Sequence, residues 1–185
     1  YTTLGYKDTA GNFVNRNEQL KHILSNQVII GFEFRPTDQS RFNLEGFYKQ
    51  YENYPLSVAD GMSIAGKGTE YGQIGDEEII STGRGRAYGM EFLGKLVDWK
   101  KFNTTLTYTL FKSEFTDENG VYRPSNWDTR HMVNLISSYQ LPRNWNVSMR
   151  WRYVGGAPYS PVDMELSTSK AAWSVTNQAY IDYAQ

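Results

Sequence analysis

The sequence predicts an all-β fold: an antiparallel up-and-down sheet that crosses a membrane as one segment of a larger transmembrane β-barrel. Three observations carry this expectation. Apolar and polar residues alternate with period two along most of the chain, and no helical periodicity competes with that pattern. The runs so marked extend for about ten residues, longer than the globular mode of about five to six. Their connections alternate short and long, so every tight turn falls at one end of the sheet and every long loop at the other. Membrane barrels sort their loops in this way, whereas a soluble sandwich has no physical reason to.

The elements follow in order. Gln27 to Arg35 places Val28, Ile30, Phe32 and Phe34 on one face, and Pro36-Thr37-Asp38-Gln39 ends the run as a turn. Arg41 to Tyr51 sets Phe42, Leu44, Gly46 and Tyr48 against Asn43, Glu45, Phe47 and Lys49. A long stretch from Glu52 to Thr82, rich in glycine, reads as a loop. Arg86 to Val97 opposes Tyr88, Met90, Phe92 and Leu96 to Ala87, Glu91 and Lys95, and Asp98 to Lys101 turns the chain. Phe102 to Phe115 carries Thr104, Leu106, Tyr108 and Leu110 on its apolar face. The loop Thr116 to Trp127 contains Asp117-Glu118-Asn119-Gly120, a hairpin signal. Thr129 to Leu141 is a fifth strand, Pro142-Arg143-Asn144 a tight turn, and Trp145 to Val154 a sixth strand. That sixth strand opposes Val147, Met149, Trp151 and Tyr153 to Ser148, Arg150 and Arg152. Gln178 to Tyr183 opens a seventh.

Composition narrows the function classes. The 185 residues carry 19 Lys+Arg against 20 Asp+Glu, a formal charge of −1, so there is no basic footprint and no nucleic-acid partner is expected. Cys is 0 and His is 2, which removes disulfides and thiolate chemistry and leaves no multi-histidine metal centre. No cofactor is expected. Mean hydropathy is −0.60 and no apolar run is long enough for a membrane helix, but alternating barrel strands average to a polar score. Aromatic residues make 15% of the chain. Tyr48, Trp99, Tyr108, Tyr139, Trp145, Trp151 and Tyr153 are expected at the membrane interface, where amphipathic rings favour the headgroup level.

The faces fix the orientation. Placing Arg150, Arg152, Lys49 or Lys95 in lipid would cost about 2–4 kcal/mol per basic residue near the midplane. The apolar face therefore meets hydrocarbon, and a one-residue slip would reverse every side chain. Six or seven strands do not close a bacterial barrel, and open edges in hydrocarbon leave backbone groups unsatisfied. The whole chain, 1–185, is thus expected to be one piece of a longer barrel domain.

Several short motifs carry little chemistry. Gly83-x-Gly85 opens a strand, not the helix that a dinucleotide fingerprint requires. Ser167-Thr168-Ser169-Lys170 has no partner motif, and Gly66-Lys67-Gly68-Thr69 lacks the spacing of a phosphate loop. Asp128, Arg130 and His131 read as a carboxylate–guanidinium pair at a strand mouth, without a nucleophile. Asp76-Glu77-Glu78 reads as a solvated charged run rather than a Ca²⁺ site. The chain is expected not to be an enzyme.

Five motifs resemble those of TonB-dependent receptors. Gly83 to Glu91 is similar to the strand opening G-x-G-x-x-Y-G-x-E, and the strand Leu106 to Glu114 follows in kind. Asp128-Thr129-Arg130-His131 to Asn134 resembles D-x-R-H-x-x-N near the end of such barrels, with Tyr139 to Trp145 similar to the turn that follows. Gly156-Ala157-Pro158-Tyr159-Ser160-Pro161 resembles G-x-P-Y-x-P. The resemblance implies a late segment of a 22-stranded barrel in the outer membrane of a Gram-negative cell. It implies active uptake of a scarce nutrient (an iron chelate, cobalamin or glycan) energised through the TonB complex. The plug domain, the TonB box and the closing strands are expected outside this segment, with a surface lipoprotein as a further partner. Tyr54, Tyr71, Tyr122, Arg123, Trp127, Tyr159 and Trp173 are the ligand-facing loop candidates, since aromatic rings stack on sugars and aromatic chelates. The alternatives are a passive porin-type barrel and a soluble all-β binding module.

Overall fold

The computed structural model describes residues 6–8, 10–14, 19–67, 77–159, 173–174 and 179–180. Two short strands, β1 (Tyr6–Lys7) and β2 (Phe13–Val14), form a small hairpin. The main sheet is built from β3 (Leu24–Thr37), β4 (Ser40–Ser57), β5 (Ile79–Trp99), β6 (Phe102–Thr116), β7 (Tyr122–Pro124), β8 (His131–Gln140) and β9 (Asn146–Val154). Its order is β3-β4-β5-β6-β8-β9, every pair antiparallel, with β7 added at the end of β6. β3 and β9 stand at the two edges of this path. Of the expected seventh strand, Gln178 to Tyr183, only Ala179 and Tyr180 are among the described residues. β11 (Ala179–Tyr180) pairs with β10 (Trp173–Ser174) as a separate ladder.

Register aligns the apolar residues across all six long strands. Phe32 lies opposite Leu44, Leu44 opposite Phe92, and Phe92 opposite Tyr108. Leu106 lies opposite Leu135, and Leu135 opposite Trp151. The other face carries Glu33 opposite Asn43, Glu45 opposite Glu91, Thr107 opposite Asn134, and Asn134 opposite Arg152. Because strand side chains alternate, one register sorts every residue at once.

The long-loop end is the packed end. Among the described residues Leu56, Ala65, Ile79 and Phe115 are the buried apolar ones, and all lie there. Along the strands the apolar face is bare: Ile30 is 74% exposed and Phe32 69%, with Met90, Met149 and Trp151 about half exposed. Burying each such side chain is worth about 1.5–3 kcal/mol. A face of this extent is therefore a binding surface rather than a water-facing one.

The turns explain where strands stop. Lys100 and Lys101, both at positive φ (48° and 71°), link β5 to β6 across the pair Trp99–Phe102. That is the two-residue turn whose twist matches paired strands. Arg143 and Asn144, at φ 63° and 61°, turn the chain before β9. β8 begins at His131 and not at Thr129, because Arg130 sits at φ 60° and breaks the ladder. Pro36 lies inside β3, at the register shift between Phe34 and Thr37, where its missing N–H costs no ladder bond.

β4 and β5 run further toward the long-loop end than the sequence suggests, to Ser57 and from Ile79. A bulge around Asn53 (φ 56°) re-aims the chain between Tyr51 and Tyr54. Opposite it, Gly83 and Gly85 leave room for the Tyr54 carbonyl and the Phe115 ring. Sequence reading assigns Glu52 to Thr82 to a loop because Pro55 and the glycines from Gly61 to Gly75 punctuate it.

Candidate functional site

The long-loop end gathers the groups with chemical character. Two connections meet there, 58–78 between β4 and β5 and 117–130 between β6 and β8, and they are tied together by backbone. Glu118 N–H donates to the Gly61 carbonyl at 2.8 Å, and Asn126 N–H donates to the Ala65 carbonyl at 3.2 Å. Ala65 belongs to a single 3₁₀ turn, Ile64–Gly66, capped by Ser63, whose side chain accepts from Ala65 N–H.

A charged knot closes the first connection. Lys67 Nζ lies 2.6 Å from Asp60 Oδ2 and 2.5 Å from Glu77 Oε1, and Glu77 Oε2 accepts from the Ser57 hydroxyl at 2.6 Å. Burial pushes the Asp60 carboxyl up, yet hydrogen bonds from Lys67 and from Met62 N–H hold it below its ordinary value. Burial pulls the Lys67 ammonium down, and its two carboxylate partners carry it above its ordinary value. Glu77 is thus engaged by a cation of the protein itself, while Asp76 lies outside the described residues.

Asp117 organises the second connection. Its Oδ1 accepts from the N–H groups of Asn119 and Val121, and its Oδ2 accepts from Arg123 Nε at 2.9 Å. The Val121 amide, followed by Arg123, lowers the Asp117 carboxyl below its ordinary value. Gly120 at φ 76° closes the turn, as the Asp117-Glu118-Asn119-Gly120 signal predicts. The fully buried Ser125 donates to Ser113 Oγ at 2.9 Å and pins the loop to β6.

The ligand candidates separate into two kinds. Tyr54 is a packing residue, with its ring 4.2 Å from Phe115 and 6.3 Å from Tyr51. Tyr122 lies under the Arg86 guanidinium, 4.1 Å from its ring centroid. Arg123 is bound to Asp117 but largely exposed. Trp127 and Tyr159 project into open space, Tyr159 being 86% exposed. Trp173 is a strand residue opposite Tyr180. Tyr71 lies outside the described residues. Tyr51 and Phe115 were missed by sequence reading, because each continues the polar-face parity of its strand and reads as part of it.

The interface candidates occupy both ends of the apolar face. Trp99, Tyr139 and Trp145 lie at the tight-turn end, with the Tyr139 ring 4.4 Å from Phe102. Tyr48, Tyr108 and Tyr153 lie toward the loop end, Tyr48 stacked at 6.3 Å on Tyr88. Trp151 is one ladder step deeper than Tyr153. Asp128 and Arg130 form the expected ion pair at the mouth of β8, at 3.1 Å, and His131 Nδ1 shares a 2.9 Å hydrogen bond with the Tyr108 hydroxyl. Both titratable partners are thereby engaged in holding the strand mouth.

Among the described residues no three His, Asp or Glu side chains gather as a metal site, and no helix is long and apolar enough to cross a membrane. No curated protein matches the chain. The family model of the TonB dependent receptor-like β-barrel matches residues 1–184. Bare apolar face, sorted loops and family model agree, and the chain belongs to the TonB-dependent receptor β-barrel family, whose members are transport proteins and not enzymes.

Proposed function

We propose that this chain forms a late part of the wall of a 22-stranded outer-membrane barrel that takes up a scarce nutrient with energy delivered through TonB. The observation that carries the reading is the uncovered apolar face, continuous through the register of six strands. In a bilayer that face meets acyl chains, and Arg152, Asn134 and Thr107 line a wet interior. β3 and β9 then pair with further strands of the same wall, since sheet edges cannot stand bare in hydrocarbon.

The dimensions support the reading. Trp99 lies eleven residues from Tyr88 along β5. At about 3.3 Å per residue and a tilt of about 45°, that spans about 26 Å, close to the ~25 Å apolar band of such barrels. Trp99, Tyr139 and Trp145 would sit at the periplasmic interface; Tyr48, Tyr108 and Tyr153 would mark the outer one, with Trp151 just beneath. The tied loops would form part of the outer vestibule, with Trp127, Tyr159 and the exposed part of the Asp117-bound Arg123 as groups that meet cargo and Tyr54 and Tyr122 as its supports. Iron chelates, cobalamin and glycans all offer surfaces that stack on such rings.

Uptake of the cargo by cells carrying the intact receptor tests this directly. Transport that collapses when TonB is deleted supports the reading. Uptake that continues unchanged points to a passive porin-type barrel, and an intact protein that is monodisperse without detergent points to a soluble binding module.

A further inference from the structure

On the apolar face, toward the loop end, the ladder row Ile30–Gly46–Met90–Leu110 contains one position without a side chain. Gly46 leaves a furrow there, walled by Ile30 on one side and Met90 on the other, with a volume of about 820 Å³. That is within the ~300–1,000 Å³ of ligand clefts. Its lining is overwhelmingly apolar.

The rim on the loop side is different. The next row brings Tyr48, Tyr88 and Lys112 into register, and Lys112 and Arg130 border the furrow. Lys112 pairs with Glu114, which also holds Arg86 at 2.8 Å; Arg130 pairs with Asp128. The carboxylates lie beneath, with side chains 5% and 1% exposed, while the cations stand outward at 30% for Lys112, 35% for Arg86 and 50% for Arg130. Three cations over two buried carboxylates leave one positive charge presented at the surface, held in place by its own counter-ions. The two carboxylates offset two of the three cations, and the surplus positive charge beside an apolar furrow suits an anion from the surroundings.

We infer that this furrow is a seat for one lipid with a net-anionic phosphate headgroup, drawn from the leaflet on the long-loop side. Its acyl chain lies over Gly46 between Ile30 and Met90, and its phosphate meets Lys112 and Arg130 through charge-assisted hydrogen bonds. The inference rests on the reading that this face meets acyl chains, and it adds selection by headgroup, which a merely greasy face does not provide.

The test uses the intact receptor in detergent with equal amounts of phosphatidylglycerol and phosphatidylcholine, read by native mass spectrometry. The expected result is retention of phosphatidylglycerol over phosphatidylcholine by about tenfold, a difference of about 1.4 kcal/mol. Lys112→Gln with Arg130→Gln should remove the preference, and Gly46→Leu should lower retention of both lipids by filling the furrow. Should the double variant not give a heat-modifiable barrel, Lys112→Gln alone serves as the readout. Equal retention by the wild type, or an unchanged preference in the charge variant, overturns the seat. A separate arm places Met90→Trp in lipid with brominated acyl chains. Quenching without headgroup preference overturns the seat alone; absence of quenching overturns the lipid-facing reading as well.

Discussion

The ring of Phe115 occupies the space that a side chain at Gly85 would need. The two residues face each other across the β5–β6 ladder, and a Cβ on position 85 would overlap the ring edge. Phe115 is also the centre of the buried cluster with Tyr51 and Tyr54. Gly85→Ala should therefore destabilise the intact barrel by about 1–3 kcal/mol through overpacking. Adding Phe115→Leu should recover part of the loss, and a double-mutant cycle in urea unfolding would read the coupling. Strictly additive costs would show that the two positions do not share this space.

Charge placement reports the faces. Leu106 and Thr107 are neighbours on β6 that point to opposite sides of the sheet. Leu106→Arg should cost about 2–4 kcal/mol in the folded membrane protein, and Thr107→Arg close to nothing. Equal costs in a lipid-vesicle folding titration would contradict the assigned orientation.

The β5–β6 turn holds two lysines in a backbone conformation that favours glycine or asparagine. Lys101→Gly should raise stability by about 1 kcal/mol, because the left-handed region costs an ordinary L-residue about 1–2 kcal/mol. The same change at Lys95, inside β5, should do the reverse, glycine being a poor strand residue. Unfolding midpoints of the two variants, measured side by side, check both signs.

The Asp60–Lys67–Glu77 knot makes loop closure depend on pH. Asp60 is held below its ordinary value when folded, so its contribution is complete above the ordinary carboxylate range and is lost as pH falls through the lowered folded value. Lys67 is held above its ordinary value, so its contribution is complete below the ordinary lysine range and is lost as pH rises through the raised folded value. Between those limits the knot is intact. Hydrogen exchange at Met62 N–H, which Asp60 Oδ1 holds at 2.9 Å, should therefore be slow at neutral pH, relative to its unprotected rate, and lose protection in acid. In Asp60→Asn the acid limb should shrink, and an unchanged profile would remove Asp60 from the lock.

The sheet was legible because its information is local. Alternation in the stretches around Val28, Met90 and Met149 specifies both strand and face, and the tight turns carry their own residue chemistry. What escaped was the end of the sheet above the apolar band. There Tyr51, Tyr54, Gly83, Gly85 and Phe115 interlock through contacts across more than one ladder step, and no pattern within a single segment encodes that. β7 escaped for a related reason: it lies within Thr116 to Trp127, which reads as a loop, yet its pairing to Phe115 and Glu114 is decided by the Asp117 hairpin behind it. The candidate site was legible only as a region. Which aromatic rings are supports and which are free depends on neighbours such as Arg86, more than thirty residues from Tyr122 in sequence.

The bonds from Glu118 to Gly61 and from Asn126 to Ala65 join two hairpins that belong to different strand pairs. Among the described residues neither connection shifts without straining the other, so the tied parts share one coordinate of motion where separate flaps would have two. A load on either connection is therefore shared by both, and whatever displaces one already strains its companion.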